Sequence, residues 1–434
     1  MVRTAITNLL LTAVSIALVL VALEVGVRVI PNHWRDAFEY YASDRTTVRY
    51  RPDGDDLYGL APDAAARFHR PCFETHDVVV NDHGLRGPWP AGQGGVAVLG
   101  DSFVEALQVG DGDTMSAQLA GLLGVPVRNF GVSGFSTLDE LTAWRRWVRP
   151  TRPSQAVLMV YLGNDIDGNA CVLSSKFGRC ARPAADGGIV VEGTVAGTAS
   201  QRDGTAPVAA AAADGGSASP DAKGDSASPD AKGWARRNLV VYQLLHDAKV
   251  VVASTLARLS GEVPEQRRLY LGEDAAWSEA WEVTRRILAQ MAAEMAADKV
   301  RLLVVGIPEH FVTSPTGRRE LELAGGTALP ADFDPNRPMR RLEAVARGLG
   351  LDFLDLTPAM VAYRDAHRLP APAFSFRCDG HWNPLGHRVA AAAVATALGH
   401  APPAGWLAAD PRTVLGDQGW RAIFERGVYQ GGRP

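Results

Sequence analysis

The stretch Val96-Ala97-Val98-Leu99-Gly100-Asp101-Ser102-Phe103 decides how this chain folds. Its apolar run, bounded by glycines, is typical of a buried strand, and the turn after the run leads into the amphipathic pattern of a helix. This turn places the Ser102 hydroxyl at the carboxyl end of the strand. Ligands bind at that edge of open parallel sheets, so the stretch predicts an α/β fold with a serine at its functional edge.

Strand and helix patterns alternate along most of the chain after this first strand. The patterns predict helices at 114–123, 137–148, 239–259, 275–297, 338–349 and 384–398, and strands at 125–130, 155–162, 300–307 and 352–356. Fully apolar strands separated by helices indicate a parallel sheet covered on both faces. The predicted fold is therefore a three-layer α/β/α arrangement with a central parallel sheet.

The size and the charge of this chain limit the classes of function that it can have. The chain has 434 residues, of which 47% are hydrophobic, so it can bury a large core. Its formal net charge is −4, and it contains no long basic run. This composition excludes nucleic acid as an expected partner, because phosphate backbones require a basic surface.

The amino terminus predicts a membrane anchor. Thr4 to Leu23 are twenty consecutive uncharged, mostly apolar residues, preceded by Arg3, which is enough for one bilayer-spanning helix. No A-x-A cleavage pattern follows them, which argues against a removed signal peptide. We expect residues 1–30 to be a single transmembrane helix and the remainder to be exported, to the periplasm or the cell exterior.

The four cysteines, Cys72, Cys171, Cys180 and Cys378, suit an exported protein with up to two disulfides. Three pairings are open, and Cys171 with Cys180 is the pair nearest in sequence. No C-x-x-C motif supports a zinc or thioredoxin-like site, so no metal or cofactor is expected.

Composition divides the chain into segments. Residues 31–92 lack sustained periodicity and predict a membrane-proximal cap, residues 93–400 form the main domain, and residues 401–434 form a tail. An insert at 181–233 contains the repeated sequence Ser-Ala-Ser-Pro-Asp-Ala-Lys-Gly and predicts disorder. It holds a second Gly-Asp-Ser, at residues 224–226, which lacks a preceding strand and is interpreted as a chance match.

A base and its orienting partner stand near the end of the main domain. A serine hydroxyl is a poor nucleophile until a base takes its proton, and that base needs an acceptor on its other ring nitrogen. His381 and Asp379 lie two residues apart, just before a helix opened by Asn383 and Pro384. The pair can serve Ser102, although a surface Asp and His near a helix start is the common alternative.

Two further residues suit an oxyanion hole, the set of donors that stabilises the negative charge of acyl transfer. Gly134 follows one predicted strand and offers a backbone N–H, and Asn164 follows the next and offers a side-chain amide. Each alone is commonly a turn residue. Together they follow three consecutive strands, which favours a shared site with Ser102.

These residues resemble the SGNH, or GDSL-type, hydrolase family. Its four blocks match, in order, Gly100-Asp101-Ser102, Gly134, Gly163-Asn164-Asp165 and the segment from Asp379 to His381. The resemblance implies an SGNH/flavodoxin-like fold with Ser102, His381 and Asp379 as nucleophile, base and orienter. It also implies an oxyanion hole made by the Ser102 N–H, the Gly134 N–H and Asn164.

One departure from the common family pattern is the spacing Asp-x-His in place of Asp-x-x-His. The variant resembles a membrane-anchored, exported branch that includes carbohydrate O-acetyl esterases and O-acetyltransferases. Two alternatives stay open for this part of the site. One is that His387 substitutes for a member of the Asp379–His381 pair, and the other is a metal hydrolase that uses Asp379, His381 and His387 as ligands. No Gly-x-Ser-x-Gly occurs in the chain, which excludes the nucleophile elbow of an α/β-hydrolase.

The expected activity is serine-dependent hydrolysis of an acyl ester, with acetyl groups on a cell-envelope or extracellular polysaccharide as the expected substrate. Three alternatives stay open. They are an O-acyltransferase acting on a glycan, a lipase or thioesterase, and a non-catalytic carbohydrate-binding protein that keeps the fold.

Overall fold

The computed structural model describes residues 11–12, 14–15, 18–26, 49–50, 57, 59–60, 62, 65–70, 72–173, 179–193, 268–272, 274–325, 328–377, 379–426 and 429–431. Its strands are β1 (Arg49–Tyr50), β2 (Gly59–Leu60), β3 (Ala65–Arg70), β4 (Phe73–Val79), β5 (Val96–Gly100), β6 (Val127–Gly131), β7 (Gln155–Tyr161), β8 (Cys180–Pro183), β9 (Ile189–Glu192), β10 (Arg301–Ile307), β11 (Asp352–Asp355) and β12 (Tyr429–Gly431).

The α-helices are α1 (Ser102–Glu105), α2 (Met115–Leu123), α3 (Thr137–Ala143), α4 (Asp165–Asn169), α5 (Ala275–Ala297), α6 (His310–Thr313), α7 (Gly317–Gly325), α8 (Arg337–Gly348), α9 (Thr357–His367), α10 (Pro384–Ala397) and α11 (Pro411–Trp420). The predicted helix at 137–148 is α3 followed by a π-helical turn, Trp144–Val148. The predicted helix at 239–259 lies outside the described residues.

The central sheet consists of five parallel strands in the order β11-β10-β7-β5-β6. Counted in chain order this is 2-1-3-4-5 from the β6 edge, the flavodoxin-like arrangement. Strand order reverses between β5 and β7, and ligands bind outside the carboxyl ends of the strands at such a switch point. Ser102 follows β5, so the topology puts it at that position.

Side chains of each strand alternate between two cores. Val96 and Val98 belong to the cluster covered by α2, α9 and α10, whereas Ala97 and Leu99 belong to the cluster covered by α3, α5 and α8. Each buried Val or Leu side chain contributes about 1.5–3 kcal/mol to folding. Helices cover both faces of the sheet, which confirms the predicted three-layer α/β/α fold with a central parallel sheet.

The cap and the tail meet in a second, three-stranded sheet of order β12-β4-β3. Strand β4 pairs with β3 in antiparallel and with β12 in parallel orientation, so the chain's end is tied to its beginning. Phe73 of β4 and Phe424 near the chain's end pack in the same cluster as α10. The cap is thus part of the core beside the α10 face of the sheet.

The first part of the insert that was predicted to be disordered, residues 181–193, has regular structure. Strands β8 and β9 form an antiparallel hairpin, and a disulfide joins Cys171 to Cys180 at its base. Arg286 of α5 donates hydrogen bonds to two carbonyl groups of the hairpin turn, at Ala184 and Gly188. The β-branched run at Ile189–Val191 and these contacts order the segment through residue 193, whereas the rest of the insert, with its second Gly-Asp-Ser, lies outside the described residues.

Most of the predicted anchor at residues 1–30 is also outside the described residues. Residues 18–26 are helical, and Leu18 and Val21 are exposed. Among the parts of the chain that the structure describes, no helix combines the length and the apolar character needed to cross a membrane.

Candidate active site

Ser102 is the first residue of α1, directly after β5. The side chain of Asp101 caps this helix by accepting the Phe103 N–H at 2.9 Å. The helix folds back so closely that a Cβ atom on Gly100 would lie 2.3 Å from a methyl carbon of Val104. Glycine is therefore required there, and the close turn presents Ser102 at the carboxyl edge of the sheet.

His381 and Asp379 reach Ser102 from the loop before α10. The His381 Nε2 lies 2.7 Å from the Ser102 Oγ, and its Nδ1 lies 2.7 Å from the Asp379 Oδ2. The structure thus brings the three residues into one hydrogen-bonded chain. In the sequence analysis, Ser102, His381 and Asp379 were assigned the roles of nucleophile, base and orienter, in that order.

A tight turn explains how the short Asp-x-His spacing suits this geometry. The Phe376 N–H donates to the His381 carbonyl at 2.9 Å, and the Gly380 N–H donates back to the Phe376 carbonyl at 2.9 Å. Between Asp379 and His381, Gly380 has a φ of +84°, which L side chains rarely adopt. This left-handed residue bends the chain so that the Asp379 carboxylate meets the imidazole ring.

The two oxyanion candidates follow the strands on either side of β5. Gly134 lies in the turn after β6, with a φ of +80°. Asn164 is the residue before α4, after β7, and its Nδ2 donates to the Asp101 Oδ2 at 3.2 Å. Because β6, β5 and β7 are neighbours in the sheet, these turns and Ser102 share one edge.

An aromatic side chain packs against both the serine loop and the histidine loop. The ring of Phe103 lies 5.0 Å from that of His381, 5.1 Å from that of Trp382 and 4.4 Å from that of Tyr161, measured between centroids. Sequence reasoning did not single out Phe103, although it is adjacent to Ser102. Phe103 therefore packs between the segment that carries the serine and the loop that carries the histidine.

His387 is not available as a base. It is buried in α10, and its Nδ1 accepts the Met115 N–H at 3.3 Å. Burial, with the nearby Arg86 charge as a smaller cause, lowers the pKa of His387 to about 3. The His387 Nδ1 is thus occupied in capping α2, and within the described part of the chain Asp379, His381 and His387 do not bring their ligand atoms close enough together to hold one metal ion.

Three buried carboxyl groups lie behind the site: Asp101, Glu140 and Asp165. Burial raises the pKa of Asp101, an effect that its hydrogen bond from the Phe103 N–H and the nearby His381 oppose. Burial also raises the pKa values of Glu140 and Asp165 well above the ordinary range, and their mutual repulsion adds to this for Asp165. The cluster therefore favours bound protons in the folded state.

Glu140 offers a direct test, because it is 0% exposed and neither of its carboxylate oxygens has a hydrogen-bond partner among the described residues. Folding raises the pKa of Glu140. Its contribution to stability is therefore fully present below the ordinary pKa of 4.5 and is lost as the pH rises through the raised pKa. We expect Glu140→Gln to raise the free energy of unfolding by about 1–2 kcal/mol near neutral pH, with a smaller gain at about pH 4.

Urea titrations of both proteins across this pH range measure the effect. Glu343→Gln, on the surface of α8, is the matched control, and its change should stay within about 0.5 kcal/mol at every pH. A Glu140→Gln protein that is less stable than wild type near neutral pH contradicts the buried-carboxyl interpretation.

One known protein family matches part of this chain. Residues 279–419, about a third of the chain, match the family described as "SGNH hydrolase-like domain, acetyltransferase AlgX". This segment contains Asp379 and His381 and ends before the tail's last strand. The comparison with curated proteins found no match.

Several solved structures are similar at low identity. The acetylxylan esterase Axe2 from Geobacillus stearothermophilus is 13% identical, with 71% of this chain and 95% of Axe2 covered and a TM-score of 0.33. LAE5, an α/β hydrolase from the metagenome of Lake Arreo, Spain, is 14% identical, with 72% and 97% covered and a TM-score of 0.34. The chain's resemblance to the SGNH hydrolases, indicated by the four motif blocks, is confirmed by the family match over residues 279–419.

Proposed function

We propose that this protein is a serine-dependent acyl esterase whose substrate is an acetyl ester on a cell-envelope or extracellular polysaccharide. The observation that carries the proposal is the hydrogen-bonded chain from Ser102 through His381 to Asp379, with both links at 2.7 Å. Nucleophile, base and orienter within hydrogen-bond reach are the signature of an activated hydroxyl. The resemblance to SGNH hydrolases supports the same roles.

In the proposed reaction, the Ser102 Oγ attacks the ester carbonyl while the His381 Nε2 takes the hydroxyl proton. The new imidazolium is held by the Asp379 carboxylate, which accepts from Nδ1. The oxyanion is stabilised by the Ser102 N–H, the Gly134 N–H and the Asn164 amide. Collapse releases the sugar hydroxyl with the proton from His381, and water then cleaves the acyl-enzyme by the same steps.

A transferase is the second candidate, since the family that matches residues 279–419 is described as that of an acetyltransferase. Chemically, the two activities differ only in whether water or a sugar hydroxyl attacks the acyl-enzyme. The distinguishing experiment incubates the full chain with an acetylated polysaccharide and an unacetylated oligosaccharide. Free acetate supports the esterase, acetylated oligosaccharide supports the transferase, and neither product, even from a small activated acetyl ester, contradicts acyl chemistry.

An exported location is part of the proposal. The Cys171–Cys180 disulfide, together with the disulfide-bonded Cys72, suits an oxidising compartment. We place the catalytic domain outside the cytoplasm, in the periplasm or the exterior, held at the membrane by the predicted helix at residues 1–30.

The oxyanion role of Asn164 gives a kinetic prediction. Asn164→Ala removes a donor that stabilises the transition state, so kcat should fall about 10²–10³-fold while KM changes only a few-fold. Initial rates with a small acetyl ester measure both constants. The matched control is Asn336→Ala, at the exposed start of α8 and distant in sequence from Asn164, and it should leave both constants unchanged. A raised KM at constant kcat would instead place Asn164 in substrate binding.

A further inference from the structure

Glu105 is a buried acid that the proposed reaction does not use. It is the last residue of α1, three positions after Ser102, and only 1% of its surface is exposed. Burying a carboxylate is costly unless it is well hydrogen-bonded. The partners of Glu105 therefore indicate what it does.

The carboxylate of Glu105 binds the turn that follows β6. Its Oε2 accepts the Ser133 backbone N–H at 3.0 Å and also accepts the Ser133 hydroxyl. Both donors thus come from the residue directly before Gly134. Glu105 holds this residue by its backbone and its side chain together.

The end of β6, just before this turn, also lies directly against α1. A Cβ atom on Gly131 would lie 2.3 Å from the Glu105 backbone nitrogen, so no side chain fits between the two segments. Asn129 adds a second link, donating from Nδ2 to the Val104 carbonyl at 2.7 Å. The nucleophile helix and the glycine turn are therefore built as one unit.

From these contacts we propose that Glu105 is a positioning residue that sets the Gly134 N–H relative to the Ser102 hydroxyl. The inference rests on the proposed function, because it assigns Gly134 to the oxyanion hole. A displacement of about 1 Å at such a donor can lower a rate by about 10²-fold. In this proposal Glu105 acts on Gly134 through Ser133 and takes no direct part in the reaction.

The test compares Glu105→Gln, Glu105→Ala and Ser133→Ala in the full chain. Gln retains one acceptor oxygen, and Ser133→Ala retains the backbone donor, so each should lower kcat only about two- to fivefold. Glu105→Ala removes the acceptor and should lower kcat about 10–100-fold with KM little changed. The Glu105→Ala/Ser133→Ala double variant should be no slower than Glu105→Ala, because both changes remove the same contact. Glu343→Gln serves as the activity control.

Two readouts separate this proposal from the proposed function. The first is hydrogen exchange of the peptide covering residues 131–136, which should accelerate in Glu105→Ala and much less in Glu105→Gln. The second is the rate at which a small p-nitrophenyl phosphonate labels Ser102, measured by mass spectrometry. In that labelling the serine oxygen forms the P–O bond, p-nitrophenolate leaves and His381 takes the proton.

The outcomes are distinct. Faster exchange of the turn, slower labelling and a kcat-selective loss support the positioning role. Unchanged exchange in Glu105→Ala, a loss in KM alone or additive effects in the double variant overturn it. Absence of labelling at Ser102 in the wild-type chain contradicts the proposed function, and the exchange measurement still decides whether Glu105 holds the turn.

Discussion

Ser102→Ala is expected to lower turnover of an acetyl ester by about 10⁴–10⁶-fold. In the proposed mechanism no acyl-enzyme forms without this hydroxyl, and His381 and Asp379 have no nucleophile to activate. The residual rate would be that of the oxyanion hole and substrate binding alone. Initial rates, together with mass spectrometry for an acetyl group on the peptide that contains residue 102, measure the loss.

The same variant should fold normally. The Ser102 hydroxyl is paired with His381 in the site, and alanine is favourable in a helix, so the free energy of unfolding should change by less than about 1 kcal/mol. Ser116→Ala is the matched control, since Ser116 is a buried helical serine in α2 whose hydroxyl has no hydrogen-bond partner in the described part of the chain. Full activity in Ser102→Ala, or equal losses in both variants, would contradict the assignment of Ser102.

The central sheet could be predicted because each of its strands is indicated by a local sequence pattern. Strands buried on both faces are continuous apolar runs, as in β5 and β7, and the helix predicted at 275–297 is α5 with the same bounds. Capping residues fix helix starts in the same local way. Asn383 accepts hydrogen bonds from two backbone N–H groups at the start of α10, just where its sequence predicted a cap.

The sheet that joins the cap to the tail could not be predicted, because the pairing of its strands has no local sequence signal. Strand β12 at the chain's end pairs with β4 near its beginning, and the strands β3 and β12 lack an alternating apolar pattern. Helices α6 and α7 lie between the strand predicted at 300–307 and the helix predicted at 338–349, where no element was predicted, and four of the nine residues of α7 are charged. Such elements owe their structure to tertiary contacts that pattern reasoning does not see.

Within the site, motif spacing located Ser102, Asn164 and His381, but not the residues that support them. Glu105 belongs to no motif in the sequence, and its contact with Ser133 depends on how two separate segments fold together. Nor does spacing show that Gly380 supplies the left-handed turn of the Asp-x-His loop. A motif identifies atoms that act on a substrate, whereas supporting contacts depend on which distant segments fold together.

Arg86 is the supporting residue with the largest expected effect on stability. It belongs to the segment predicted as the cap, and its side chain is 1% exposed. Its guanidinium donates to the Glu105 carbonyl at 3.3 Å, to the Val109 carbonyl, and to the Asp111 carboxylate at 3.0 Å. Asp111 also accepts the backbone N–H of Val79 at 3.1 Å, at the end of β4. Arg86 thereby holds the cap against the end of α1.

Arg86→Met should lower the free energy of unfolding by about 3–5 kcal/mol, because it removes one partner of a largely buried ion pair and leaves two carbonyls without their donor. Met keeps most of the side-chain volume, so cavity formation contributes little to the loss. Chemical denaturation of the full chain measures the change. Arg347→Met is the control, since its ion pair with Glu343 lies on the surface of α8 and should contribute less than about 1 kcal/mol. If the two variants lose equal stability, the cap is held by its apolar contacts with the α10 face, and Arg86 does not hold it against α1.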